Sequence, residues 1–269
     1  MSYSLQKTSD SLPLSAFIGF AFYADIRYTK FIISFGRNEI LMHPSQTSLL
    51  SPDRLVLSRR EVLRYMGCQN GDEHVIQTAQ SAIQRLLSVA QPRYHFVCLP
   101  PDALTLEGED IRRHLAGCDR VYLLCATLGA AVDREIRRAA HSSMLDAMAL
   151  DAAAGDGIEK VCDLAQAEIR EVEAQAGRYI TGRFSPGYGD YPMSAQAELM
   201  RLCDAPRKIG LTLSRSDVLI PSKSVTAVLG ASAVPVDGRP RGCGTCSMTA
   251  TCPFRKKGIT CGTETISSI

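Results

Sequence analysis

Between residues 58 and 230 the chain alternates segments carrying the apolar period of a helix with short apolar runs bounded by turn residues. That alternation restricts it to folds that pack helices against a sheet. The sharpest helical segment runs from Glu73 to Ala90, where Val75, Ile76, Ala79, Ile83, Leu86, Leu87 and Ala90 recur at steps of three and four, and Pro92 closes it. Residues 94–99 and 121–126 read as strands, and between them residues 110–116 predict a helix that Gly117 ends. Upstream, Ser58 with Glu61 three positions later predicts a capping box ahead of Val62, Leu63 and Tyr65, in a short helix stopped by Gly67.

The turn Thr127-Leu128-Gly129 leads into a helix through Arg138, and an Ala-rich helical stretch follows over residues 143–175, interrupted at Gly155 and Gly157. Each glycine costs about 1 kcal/mol against alanine inside a helix, so close packing, a close ligand or a plain helix break is expected there. Past Gly182 come a loop rich in Gly and Pro, a helix over 195–203, and three segments that read as sheet strands, 211–213, 218–220 and 224–230. The expected organisation is an N-terminal appendage over 1–55 without a sustained period, a main domain over 56–234, and a Cys-rich, coreless tail over 235–269.

With 269 residues and 45% hydrophobic content, the chain can bury a sizeable core, and a net charge of +2 is too mild for a nucleic-acid binder. The longest apolar stretch near the N-terminus, residues 12–24, is broken by Pro13 and Ser15. It is shorter than the roughly 20 residues of a membrane span and lacks the cleavage site of a signal peptide. No membrane or nucleic-acid partner is therefore expected, and ten cysteines without an export signal point to the cytoplasm. Six of them, Cys68, Cys98, Cys118, Cys125, Cys162 and Cys203, stand singly and are expected to pack as small hydrophobes.

The segment Arg183-Phe184-Ser185-Pro186-Gly187-Tyr188-Gly189-Asp190-Tyr191-Pro192 sets a cation and two hydroxylated aromatics among four Gly or Pro residues. Pro186 fixes φ, Gly187 and Gly189 permit close backbone approach, and Arg183 offers a planar fork suited to a carboxylate. An ordinary turn with an exposed arginine is the plain alternative. The run Arg-x-Ser-Pro-Gly-Tyr-x-x-x-Pro resembles the S-adenosylmethionine-binding signature of the reactivation domain of cobalamin-dependent methionine synthase. The segments Gly210-Leu211-Thr212-Leu213 and Pro221-Ser222-Lys223-Ser224-Val225 are similar to the family's in order and spacing, as are residues 61–67, 127–129 and 151–159 to its smaller free-standing relatives. Two positions depart from the pattern. Gly189-Asp190 follows the signature tyrosine where Pro is usual, and Val228 and Leu229 stand where an aromatic is expected.

The resemblance implies an α/β (α+β) fold, with a curved, mixed or largely antiparallel sheet flanked by helices. It implies that Arg183 holds the methionine carboxylate and Ser185 contributes backbone hydrogen bonds. Pro186, Gly187, Tyr188 and Glu159 complete the cofactor-binding set, and Tyr188 is also the catalytic residue at the reacting centre. It also implies a stand-alone reactivation module, in which S-adenosylmethionine methylates cobalamin reduced by a flavoprotein electron donor. An Asp-x-His-x-x-Gly cobalamin signature is not found: His114-Leu115-Ala116-Gly117 has Arg112 in the Asp position, and His114 is expected on a helix surface. The cobalamin is therefore expected on a partner, a corrinoid protein or a truncated methionine synthase.

In the tail, Cys243, Cys246, Cys252 and Cys261 offer four thiols suited to Zn²⁺ or an iron–sulfur cluster, and their spacing does not choose between them. The alternative function is accordingly a metal- or cluster-containing redox or interaction module that activates another corrinoid methyltransferase without S-adenosylmethionine chemistry.

Overall fold

The computed structural model describes residues 34–35, 38–39, 45–68 and 71–236. The chain divides after Met42 into two compact units. In the first, β1 (Ser34–Phe35) and β2 (Asn38–Glu39) pair antiparallel. The second holds strands β3 (Ser45–Leu49), β4 (Arg93–Leu99), β5 (Arg120–Thr127), β6 (Tyr179–Ile180), β7 (Thr212–Leu213), β8 (Leu219–Ile220) and β9 (Ser224–Ser232). It also holds helices α1 (Arg59–Tyr65), α2 (Glu73–Val89), α3 (Glu109–His114), α4 (Ala130–Ala140), α5 (Met144–Gln175), α6 (Ala195–Leu202) and α7 (Ala205–Ile209).

Five strands form one curled sheet in the order β3-β4-β5-β9-β6, and every neighbouring pair is antiparallel. The two-residue period of a strand divides their side chains between two cores. Tyr94, Phe96, Tyr122, Leu124, Ala227 and Leu229 pack with α1, α2, α4 and α5, whereas Val121, Leu123, Cys125 and Val228 pack with α3, α6 and α7. β5 is covered on both sides, which is why it reads as an unbroken apolar run. The edge strand β3 lies on the appendage side of the expected 55/56 boundary, yet it pairs with β4 throughout. Of the three segments expected in the sheet, only 224–230 enters it; β7 and β8 pair with each other as a separate ribbon.

The interruptions expected at Gly155 and Gly157 do not occur, and α5 runs unbroken for 32 residues. A Cβ at Gly157 would stand 3.3 Å from methyls of both Leu86 and Leu128, so this glycine lets α2 approach α5 closely, while one at Gly155 would meet nothing within 4 Å. The capping box at α1 forms only in half. Ser58 Oγ accepts from the Glu61 amide, but Glu61 turns to Arg64, and the Ser58 amide donates instead to Asp156 on α5, at 2.9 Å. Among the lone cysteines, Cys98, Cys125, Cys162 and Cys203 are buried, while Cys68 and Cys118 are partly exposed.

At the end of α5, Glu173 is 1% exposed and collects the Tyr122 hydroxyl at 2.5 Å, Arg178 Nε at 2.6 Å and Arg120 Nη1 at 3.4 Å. Arg178 also pairs with Asp119. This clamp fixes the point from which β6 sets out along the sheet edge.

Candidate functional site

Strand β6 runs beside β9 with Ile180 opposite Ala231, and the next residue continues that register, the Thr181 amide donating to Gly230 O at 2.9 Å. Three residues on, Phe184 pairs with Val228 through reciprocal bonds of 2.9 and 2.8 Å. The register has slipped by one, so Gly182 and Arg183 together oppose Leu229, as in a β-bulge. Its effect is to send Arg183 to the α5 side of the sheet and Phe184 to the opposite core, where it packs near Val228. His114, expected on a helix surface, supports the bulge instead: its Nε2 lies 2.9 Å from Gly182 O and 3.0 Å from Thr181 Oγ1, with its ring 5.0 Å from that of Phe184.

The Arg183 side chain is only 2% exposed, so the plain alternative of an exposed arginine does not hold. Nη2 donates to Glu159 at 2.8 Å, and Nη1 donates to Asp163 at 2.9 Å and to Gln166 at 3.0 Å. Glu159, Asp163 and Gln166 follow one another at helical steps of four and three, which places them on one face of α5. Asp163 and Gln166 were not among the residues expected from sequence, although their spacing from Glu159 is the signal that finds them. Tyr65, at the end of α1, borders this cluster. Burial raises the pKa of its phenol, Arg64 opposes the rise, and Glu159 and Glu61 add to it.

Beyond Arg183 the backbone turns at Ser185-Pro186-Gly187-Tyr188, with the Tyr188 amide donating to Ser185 O at 3.1 Å. Proline second and glycine third, the latter at φ +91°, are what a type II turn requires. A following turn closes through Tyr191 N to Tyr188 O at 3.0 Å and Gly187 N to Tyr191 O at 2.8 Å. Pro186 is buried, whereas Tyr188 is 70% exposed, its ring 6.3 Å from that of Phe184. The sequence-expected set is thus brought together in two parts, an ion pair of Arg183 with Glu159 and one turn carrying Ser185, Pro186, Gly187 and Tyr188.

The two departures from the family pattern have structural counterparts. Asp190 accepts from the amides of Glu109 at 2.7 Å and Asp110 at 3.0 Å, capping α3 from a distant part of the chain. The residue that precedes α3 is Gly108, which has no side chain to cap it. These bonds hold the Asp190 carboxyl below the usual carboxylate range. Gly189 sits at φ +53°, where a Cβ would fall 2.3 Å from Asp110 Oδ2. Val228 and Leu229 are fully buried, one on each side of the sheet, so neither offers an exposed face to a ligand. Next to the loop, Tyr191 is buried, and its hydroxyl has no partner among the described residues; burial, with the charges of Glu198 and Glu107, pushes its pKa up to about 12.

Cys243, Cys246, Cys252 and Cys261 lie outside the described residues. Among the described residues, no group of three or more His, Cys, Asp or Glu is placed to hold a metal, and no helix is long and apolar enough to cross a membrane. Residues 12–24 also lie outside them.

No protein-family model matches the chain, and no curated protein matches its sequence. Among solved structures, it is similar to the crystal structure of the MetH reactivation domain bound to AdoHcy. The TM-score is 0.52 at 14% identity, covering 71% of this chain and 79% of that one. The antiparallel sheet and its flanking helices thus have the fold of the MetH reactivation domain.

Proposed function

We propose that the chain binds S-adenosylmethionine and supports reductive methylation of the cobalamin of a separate corrinoid protein, foremost a truncated or split methionine synthase. The observation that carries this reading is the placement of Arg183, buried by a bulge immediately before the Ser185–Tyr188 turn and backed by carboxylates on α5. The similar fold, solved with AdoHcy, supports it, since AdoHcy is the thioether left when S-adenosylmethionine gives up its methyl.

The donor set fits such a ligand. S-adenosylmethionine carries a carboxylate, an ammonium and a sulfonium, and the buried Arg183 guanidinium and the Glu159 carboxylate beside it offer a charge of opposite sign to each kind of group. Arg183 takes the carboxylate, Glu159 lends negative charge to the cationic groups, and the Ser185 backbone fixes the turn. Tyr188, exposed at the loop tip, borders the methyl and the docking corrinoid. Bound S-adenosylmethionine supplies the methyl cation to Co(I) that one electron from a flavoprotein has generated from Co(II). The protein's own contribution is positional, turning a bimolecular encounter into an oriented transfer. The thiols Cys243, Cys246, Cys252 and Cys261 are assigned to zinc or an iron–sulfur cluster, which metal analysis and a visible spectrum distinguish.

The test mixes the protein with a Co(II) corrinoid protein, a reduced flavoprotein and methyl-labelled S-adenosylmethionine. Label should move to the cobalt, with the spectrum of methylcobalamin, only when this protein is present. Equal transfer in its absence would remove the reading.

A further inference from the structure

We propose that Asp163 is an internal carboxylate competitor, which occupies Arg183 in the ligand-free protein and must leave before a ligand carboxylate can bind. The inference rests on the assignment of Arg183 to a ligand carboxylate and adds how that site opens. Arg183 is 2% exposed, and its fork already meets Glu159, Asp163 and Gln166 at 2.8, 2.9 and 3.0 Å. Asp163 and Gln166 take both hydrogens of Nη1, so an incoming carboxylate that forks across the two terminal nitrogens must displace one of them. The donor does not move to meet it, because the backbone on both sides of Arg183 is paired to β9.

Asp163 is the acceptor that can depart. Its side chain is 58% exposed against 37% for Glu159, so it rotates into water without stranding a buried charge. It shares Nη1 with Gln166, so its departure leaves that nitrogen one acceptor while Glu159 remains on Nη2. Exchanging one carboxylate for another keeps the charge around Arg183 constant. A nucleoside thioether without an amino-acid carboxylate, such as 5′-methylthioadenosine, has nothing to offer in exchange. Asp163 therefore acts as a specificity filter for ligands that carry a carboxylate.

The experiment compares wild type with Asp163→Ala and Asp163→Asn, both checked for unchanged melting. Arginine modification by phenylglyoxal is mapped at Arg183 by mass spectrometry, and S-adenosylmethionine and 5′-methylthioadenosine are titrated calorimetrically. In both variants Arg183 should be modified several-fold faster, and the Kd for S-adenosylmethionine should fall by about three- to fivefold, the size of one partly exposed ion pair. The Kd for 5′-methylthioadenosine should not fall with it. Arg183 modified at the wild-type rate, or a Kd for S-adenosylmethionine unchanged or raised, would overturn the role of Asp163 and leave the proposed function standing. A reactive Arg183 with no binding to any of the three proteins would overturn the ligand assignment and the competitor with it.

Discussion

Removing the Glu173 carboxylate, by Glu173→Ala, should cost about 3 kcal/mol of folding stability. The Tyr122 hydroxyl is fully buried and loses its 2.5 Å acceptor, at about 1–3 kcal/mol for a buried polar group left without a partner; the neighbouring Cys98 thiol is a weak substitute. Arg178, 11% exposed, loses its buried partner. Breaking a buried pair costs about 3–5 kcal/mol, but Asp119, 59% exposed, stays beside Arg178 as a partner, so the guanidinium is not left unpaired and this part falls to about 1 kcal/mol. At about 2–4 °C per kcal/mol for a domain of this size, the melting temperature should fall by roughly 6–12 °C. Urea denaturation of Glu173→Ala, Tyr122→Phe and the double variant gives the coupling directly, expected at about 1 kcal/mol or more. A loss under about 1 kcal/mol in Glu173→Ala would refute the reasoning that this clamp holds the start of β6.

Three smaller perturbations separate other parts of the account. Gly155→Ala, whose added methyl meets nothing, should stabilise by about 0.5–1 kcal/mol, while Gly157→Ala should gain less or lose, because Leu86 and Leu128 stand at 3.3 Å; chemical denaturation ranks the two. Tyr191→Phe removes a buried hydroxyl that has no partner among the described residues and should stabilise by up to about 1 kcal/mol in the same assay. The Asp190 carboxyl has a depressed pKa in the folded state, so its contribution is present above the usual carboxylate pKa and disappears as pH falls through the depressed value. Melting followed from pH 6 downwards should therefore lose stability more steeply in wild type than in Asp190→Asn on the acid side of about pH 4; parallel curves would count against the cap.

Elements that bury one face against a neighbour were legible. The runs at 94–99 and 121–126 and the helix from Glu73 match the structure to within a residue or so, because apolar period and burial coincide there. Strand β3, Ser-Gln-Thr-Ser-Leu, escaped notice because an edge strand with a half-exposed, polar face carries no such period. The propensity cost of Gly155 and Gly157 left close packing, a close ligand and a break open; the break did not form, since the buried face of a 32-residue helix outweighs about 1 kcal/mol at each glycine, and Gly157 marks close packing against Leu86 and Leu128. Extended conformation at 211–213 and 218–220 was readable, but not the strand each would choose as partner.

The loop shows the same division. Pro186 and Gly187 announce their turn by residue type, because each relieves a specific φ constraint. The bulge at Gly182 and Arg183 depends on the register of β6 against β9, which local sequence does not encode. The role of Asp190 likewise depends on α3, about 80 residues away in the chain, presenting its amides there.

The central claim, that Arg183 and the turn after it form a site for S-adenosylmethionine, is met most directly by calorimetric titration of the wild-type protein and Arg183→Ala with that ligand. The account predicts saturable binding near one equivalent in the wild type and its loss in the variant. No heat in the wild type, or the same affinity in Arg183→Ala, would contradict it.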